Sequence, residues 1–166
     1  MNYRSDALAI ASAHTLSWRE AYSGILPADF LAGLSIPDRA RRWERIIDEA
    51  ESNTDVAELD DQVLAFASYG RCRDGDAPQH RGEIWAIYAT PASWGKGIGR
   101  ALLRHVVAAL AAQGYEETTL WVLSANQRGR RFYEANEFAP VPETEKLFAL
   151  GGVHVYELKY LRRNSA

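Results

Sequence analysis

Apolar residues near the start of the chain recur at Ala7, Ile10, Ala11, Trp18 and Ala21, the three- and four-residue spacing of one helix face. The spacing predicts a helix from Ser5, a capping residue followed by Asp6, to about Tyr22. Residues 2–4 have room only for a very short strand before it. Gly24 and Pro27 interrupt the pattern, a short helical stretch covers Ala28 to Leu34, and a longer one begins near Ser35. The longer one has Pro37 in its first turn and Trp43, Ile46 and Ile47 on one side. The period then changes. Asp55 to Leu59 and Val63 to Tyr69 read as strands of a hairpin joined by Asp60-Asp61, and Asp74 to His80 reads as a polar surface loop. "GEIWAIYAT" predicts a buried strand from Glu83 to Ala89, bounded by Pro91. A helix from Gly97 to Gln113 turns Leu102, Leu103, Val106, Val107 and Leu110 inward, and Gly114 closes it. Thr118 to Leu123 is another strand, and Asn126 caps a helix from about Gln127 to Ala135. Two closing strands, Phe138 to Leu150 with breaks at Pro140 and Pro142, and Val153 to Leu161, meet at Gly151-Gly152. This order predicts an α/β fold, three layers around a mixed sheet.

Composition narrows the classes. At 166 residues, 47% hydrophobic and with five tryptophans, the chain is long enough to bury one core, so a single domain over 1–166 is expected. A net charge of −3 supplies no basic field, and acids interrupt the arginine runs at 39–42 and 128–131, so no nucleic-acid partner is expected. Cys72 is the only cysteine, which excludes an internal disulfide and a multi-cysteine metal site; the scattered histidines suggest no metal either. His14 and His154 read as structural, hydrogen-bonded histidines. No segment reaches membrane-spanning length, and "MNYRSDALAI" lacks the apolar core of a signal peptide, so a cytoplasmic chain without a membrane partner is expected.

The chemistry concentrates in "TPASWGKGIGRALL". A strand, a glycine-rich turn and a helix converge unpaired backbone N–H groups on an anion, and the helix dipole adds to the attraction. Gly95, Gly97 and Gly99 remove side chains that would block the approach, and Lys96 and Arg100 add charge. The plainer alternative is a tight connection and nothing more. The spacing is not a P-loop, since GxxxxGK[ST] is missing. Nor is it a dinucleotide fingerprint, because Arg100 takes the third glycine's place and Glu116 and Glu117 precede the next strand instead of ending it.

"EIWAIYATPASWGKGIGRALL" resembles the acyl-CoA signature of the GNAT superfamily of N-acetyltransferases, [RQ]-x-x-G-x-[GA]. Gly97 and Gly99 fill the glycine positions, and Trp94 stands where Arg or Gln is commonest. "NQRGRRFYEANEF" resembles the family's second block at Asn126, Gly129, Phe132, Tyr133, Glu134 and Phe138. Glu137 takes the usual glycine position there, which moves the left-handed helix end to Asn136 or strains it. "HTLSWREAYSGILP" is similar to the first helix and following loop of small bacterial members. The resemblance implies a GNAT-like three-layer α-β-α fold whose central, largely antiparallel twisted sheet is splayed at the acyl-CoA site.

It also implies transfer of an acetyl group from acetyl-CoA to a primary amine of a small molecule or peptide, by direct attack in a ternary complex. The cofactor would lie along Ile87, Tyr88 and Ala89, across the turn from Trp94 through Gly95, Lys96, Gly97, Ile98 and Gly99 to Arg100, and against Asn126 and Tyr133. Tyr133 would protonate the departing sulfur. A backbone amide between Ile87 and Ala89 would stabilise the developing oxyanion. Glu83, placed by strand alternation on one face with Trp85 and Ile87, is a candidate base acting through water, or else a solvated strand end. Glu20 is a further candidate. Trp18, Tyr22 and Trp85 are candidates for an acceptor wall, with Lys159-Tyr160 bordering it, and the closing hairpin for a homodimer contact. A non-catalytic acyl-CoA-binding sensor or regulatory module is the alternative, and Arg100 argues against a nicotinamide dinucleotide domain.

Overall fold

The computed structural model describes residues 3–49 and 52–164. Helix α1 spans Tyr3–Ala21, α2 Ala28–Ala32 and α3 Ile36–Glu49. The strand expected at residues 2–4 is replaced by helix at Tyr3 and Arg4, and Asn2 lies outside the described residues. Ser5, expected as the cap, therefore lies within the helix; the packing of Ala7, Ile10 and Ala11 on Ala40 and Trp43 secures the segment that follows as helix. Arg19 donates to the carbonyls of Leu31, Ala32 and Leu34 at 3.1, 3.2 and 3.0 Å, so α2 stops at Ala32 with its last carbonyls satisfied from α1.

Strands β1 (Asn53–Leu59) and β2 (Gln62–Arg71) form the expected hairpin, with Asp60 and Asp61 at φ of 49° and 59°, the left-handed pair of a tight hairpin turn. β3 (Arg81–Ala89), α4 (Ile98–Ala112), β4 (Glu117–Leu123) and α5 (Gln127–Glu134) follow. The chain ends in β5 (Ala139–Pro140), β6 (Lys146–Leu150) and β7 (Val153–Arg163). Strands lie in the order β1-β2-β3-β4-β7-β5, with β6 also on β7. Only β3 and β4 run parallel, because α4 carries the chain back across the sheet between them.

The two sheet faces bury different sets. Ala65, Ala67, Tyr69, Ile84, Leu120 and Val122 pack under Leu102, Leu103, Val106 and Leu110 of α4. Phe66, Ala86 and Tyr88 pack against α1 and α3 on the opposite side. A third cluster joins Leu26 and Leu31 to Leu123 and Val155 under the β6–β7 hairpin. At Gly151, φ is 63° and an added Cβ would come within 2.6 Å of Phe30, so the hairpin turn can seat on α2 only as glycine. Among the described residues no helix is long and apolar enough to cross a membrane.

Helix α5 ends where the family pattern departs from glycine. The left-handed residue is Glu137 itself, at φ of 69°, and not Asn136. Phe138 N–H donates to Tyr133 O at 3.1 Å and Glu137 N–H to Glu134 O at 3.3 Å, so the usual helix-ending bonds form despite the side chain. Asn136 stays helical and returns its amide to Phe132 O at 2.7 Å.

His14 sits among Trp18, Trp43, Phe66 and Tyr88, with its Nδ1 accepting from Trp43 Nε1 at 3.3 Å. Burial, and then the nearby Arg39 and Arg42, push its pKa down to about 3 from 6.5. Below pH 6.5 the unfolded chain takes up a proton that the folded chain refuses, so stability is lost as pH falls from about 6.5 toward 3. Between pH 7 and pH 5 this amounts to on the order of 2 kcal/mol. His14→Gln, which keeps an acceptor for Trp43, is expected to flatten urea-midpoint stability across this interval; an unchanged slope would assign the loss to other groups.

Candidate active site

The site begins where two strands part. β3 and β4 pair at Arg81–Glu117, Gly82–Thr118 and Glu83–Thr119 and no further, although β4 stays paired with β7 to Leu123. The cause lies in β3: Tyr69 pairs with Ile84 and Ser68 with Ala86, which leaves Trp85 as the extra residue of a bulge. Such a bulge bends and over-twists its strand, here two residues beyond the last parallel pair. It also breaks the expected alternation. Ile87 joins Ile84 on the α4 face, so Glu83 and Ile87 do not share a face.

Thr90 N–H donates to Leu64 O on β2 at 2.8 Å, so strand alternation turns the peptide groups of Ile87 and Ala89 the other way, into the gap. Ala89 O is taken by Trp94 Nε1 at 2.9 Å. The amides of Ile87 and Ala89 and the carbonyl of Ile87 remain directed at the opening.

The turn after β3 supplies the cradle. Gly95 and Gly97 have φ of 74° and 80°, a conformation that L side chains resist, and an added Cβ at either would meet nothing within 4 Å. Open space therefore lies over both glycines. The amides of Gly95, Gly97, Ile98, Gly99 and Arg100 find no backbone acceptor among the described residues, as the first turn of α4 requires. This concave set of free N–H groups at a helix N-terminus fits a diphosphate. The Arg128 guanidinium lies 3.6 Å from the Trp94 ring centroid, so α5 brings an arginine over the position where the family usually carries one in the turn.

Helix α5 forms the far wall. Asn126 Oδ1 accepts from Gly129 N–H at 3.0 Å, and a Cβ at Gly129 would come within 2.6 Å of that amide, so the cap demands a glycine there. Tyr133, about one turn beyond Gly129, stands beside Phe132 and Phe138. Burial, with a smaller contribution from Tyr88, pushes its hydroxyl well above the ordinary tyrosine range, which keeps the proton in place through neutral and mildly alkaline pH.

These elements enclose a cavity of about 330 Å³ whose walls include Ile87, Tyr88, Ala89, Trp94, Gly95, Gly97, Gly99, Arg100, Asn126 and Tyr133. Of the expected cofactor residues, Lys96 and Ile98 are not among its walls; Lys96 is exposed, and Ile98 packs against the core beneath α4. A second cavity, about 470 Å³, shares Tyr22, Ile84, Trp85, Tyr88 and Trp121 with the first. Trp18 and Glu83 belong to the second cavity only. Glu83 is buried and fully engaged: its Oε2 accepts from Arg73 N–H at 2.8 Å, and its Oε1 from Arg73 Nη2 at 2.7 Å. The solvated strand-end reading of Glu83 is therefore excluded. Glu20 lines neither cavity, and Tyr160 is buried in the core, so it does not border the site. Trp121 and Arg128 were not legible as site residues: Trp121 reads as an ordinary strand residue, and only its place beyond the last paired position of β4 exposes it to both cavities.

A parted strand pair over a helix-capping amide cradle, with a protonated tyrosine on the same cavity, defines an acyl-CoA-dependent transferase. The comparisons agree. The profile of the acetyltransferase (GNAT) family matches residues 15–138, and the chain belongs to that family, acyltransferases whose cosubstrate is acetyl-CoA. The uncharacterized N-acetyltransferase YuaI of Bacillus subtilis (strain 168) is 31% identical over 156 residues, covering 92% of this chain and 85% of that protein. Mycothiol acetyltransferase of Beutenbergia cavernae is 38% identical over 60 residues, 36% of this chain and 20% of that protein. The fold matches that of the PaiA N-acetyltransferase of Thermoplasma acidophilum, solved in complex with coenzyme A, with a TM-score of 0.73 over 96% of this chain and 94% of that one, at 18% identity.

Gly97→Glu fills the open concavity, strains a left-handed position and adds a charge of the same sign as a diphosphate. Calorimetric titration with acetyl-CoA is expected to show binding lost. Near-normal affinity in a folded variant would move the cradle elsewhere.

Proposed function

We propose that the chain moves an acetyl group from acetyl-CoA to a primary amine of a small molecule or peptide by direct attack in a ternary complex. The observation that supports this reading is that Gly95, Gly97, Gly99 and Arg100 of the α4 turn, Ile87 to Ala89 of β3 and Tyr133 all line one cavity, which a second cavity adjoins along a common wall. Carrier and acceptor can then approach from opposite sides of the sheet opening, and the reactants are held together before any bond changes.

Residues of the chain supply four things. Gly95, Gly97 and the first amides of α4 hold the diphosphate, with Arg100 and Arg128 adding charge. The exposed edge of β3 takes the pantetheine arm as an added strand would lie. The amide of Ile87 or Ala89, already turned into the gap, donates to the carbonyl oxygen as negative charge develops on it. Tyr133 gives its proton to the departing sulfur and is the acid of the reaction. The acceptor must arrive as a free amine. Its nitrogen forms the new N–C bond as the C–S bond breaks, and the proton it sheds leaves through solvent in the second cavity, with Glu83, one of the acids lining it, the candidate to receive it.

Acetyl-CoA and NADH are the ligands to compare in a thermal shift, with stabilisation expected from the first alone. Release of free thiol on adding an amine tests turnover, and its absence across a broad amine panel would reduce the protein to a carrier-binding module. Tyr133→Phe is expected to lower kcat by on the order of a hundredfold while KM for acetyl-CoA changes little. An unchanged kcat would remove the tyrosine as acid. Glu83→Gln is expected to alter the acidic limb of the pH–rate profile; an identical profile would leave the proton to water.

A further inference from the structure

The second cavity carries an inference about the acceptor, and it rests on the acetyl-transfer reading above. Three ion pairs surround this cavity: Arg73–Glu83, Lys146–Glu157 and Lys159–Asp74, at 2.7, 3.3 and 2.7 Å. In the first two the acid lies beneath its cation. The side chains of Glu83 and Glu157 are 3% and 22% exposed, whereas those of Arg73 and Lys146 are 56% and 52% exposed. Lys159 and Asp74 are both largely covered, at 13% and 18%, and add little at the mouth. An approaching molecule therefore meets Arg73 and Lys146 first, even though the cavity walls themselves carry three acids, Asp74, Glu83 and Glu157, and Lys159 is not among them.

Both exposed cations are held over rings. Arg73 Cζ is 4.5 Å from the Trp85 centroid and Lys146 Nζ is 3.7 Å from that of Trp121. Both also keep unused donors. Arg73 gives its backbone N–H, Nε and Nη2 to Glu83, which leaves Nη1 without a protein acceptor among the described residues. Among the described residues the Lys146 ammonium has Glu157 as its one carboxylate partner. Behind the two cations lie Trp18, Tyr22 and Tyr88, an aromatic lining that leads to the wall shared with the first cavity.

From this arrangement we infer that the acceptor is a small amine that also bears a carboxylate, a zwitterion of the amino-acid type. Its carboxylate is held at the mouth by Arg73 and Lys146, and its nitrogen turns inward toward the wall common to both cavities. An arginine fork and an ammonium are suited to a planar anion. A polyamine or an aminosugar would bring further positive charge against these two residues, so the same arrangement selects against polycationic acceptors. The aromatic lining accommodates an apolar side chain on the acceptor.

The test is acceptor-dependent thiol release with matched amines that differ only by the carboxylate: phenylalanine against 2-phenylethylamine, methionine against 3-(methylthio)propylamine, with spermidine as a polycation. The carboxylated member of a pair is expected to have a kcat/KM about tenfold or more above its partner, with spermidine the poorest. Lys146→Gln is expected to cut that preference by about fivefold. Arg73→Lys, which leaves a cation over the buried Glu83 and so protects the fold, is expected to reduce it likewise by removing the fork. The inference is overturned if the decarboxylated amines or spermidine are the better acceptors, or if both folded variants keep the wild-type preference. In either case thiol is still released and acetyl transfer stands. Silence from every amine, with acetyl-CoA still stabilising the protein, would instead defeat the acetyl-transfer reading and this inference together.

Discussion

The separation of β3 from β4 beyond Glu83 and Thr119 is the constraint on which the rest of the site depends. A continuous parallel ladder would satisfy the peptide groups of Ile87 and Ala89 within the sheet and leave no cavity between them and α5. Strand separation at a bulge leaves backbone donors and acceptors without partners, a cost that folded proteins seldom accept in their interior. Here part of that cost is offset within the chain. Trp94 donates to Ala89 O, and Arg128 stacks on the Trp94 ring from the opposite wall, so the two sides of the opening are tied at its rim. The unpartnered groups that remain are those an incoming thioester and its pantetheine arm can satisfy.

The same opening organises charge. Glu83 closes the last parallel pair and is buried there, which requires a counter-ion, and Arg73 supplies one through its backbone and its side chain together. The stacking of Arg73 on Trp85 follows from the bulge, since the extra residue is the one whose ring reaches the guanidinium. A single irregularity in β3 thereby sets the gap, the aromatic lining and the placement of the cation over the acid.

Two departures from the family pattern are compensated locally. Trp94, in place of Arg or Gln, becomes a hydrogen-bonded platform for Arg128. Glu137, in place of glycine, accepts the left-handed conformation at a cost of about 1 kcal/mol, because the bonds from Phe138 and Glu137 that end α5 form all the same. Arg162 lies 2.6 Å from its carboxylate. Helix α5 thus keeps its length, and Tyr133 keeps its place on the cavity.

Most helix and strand identities from α2 to β7 were legible in the sequence because periodicity and turn chemistry are local, but the strand expected over Phe138 to Leu150 is two, with Pro140 paired in β5 and β6 starting only at Lys146. Asp60-Asp61 specifies a hairpin turn, Leu102 to Leu110 trace one helical face, and Gly95 and Gly97 can take backbone angles other residues avoid. The glycine turn and Tyr133, which line one cavity, were singled out for the same reason, each lying in a contiguous motif. The start of α1 was not legible, since residues 2–4 are too few to show a period. Nor was the bulge at Trp85, which depends on how many residues β2 sets opposite it. That count alone reverses the face of Ile87, and no window along β3 contains it. Burial of Glu83 beneath Arg73, and the meeting of Trp121, Lys146 and Glu157 around one cavity, join residues that lie on different elements and beyond any local window. The sequence by itself determined most of the elements and the place of the glycine turn before α4. Only the tertiary structure decided which strands part and which charges face outward, because both follow from cross-strand register and burial, properties of pairs of segments and not of either one alone.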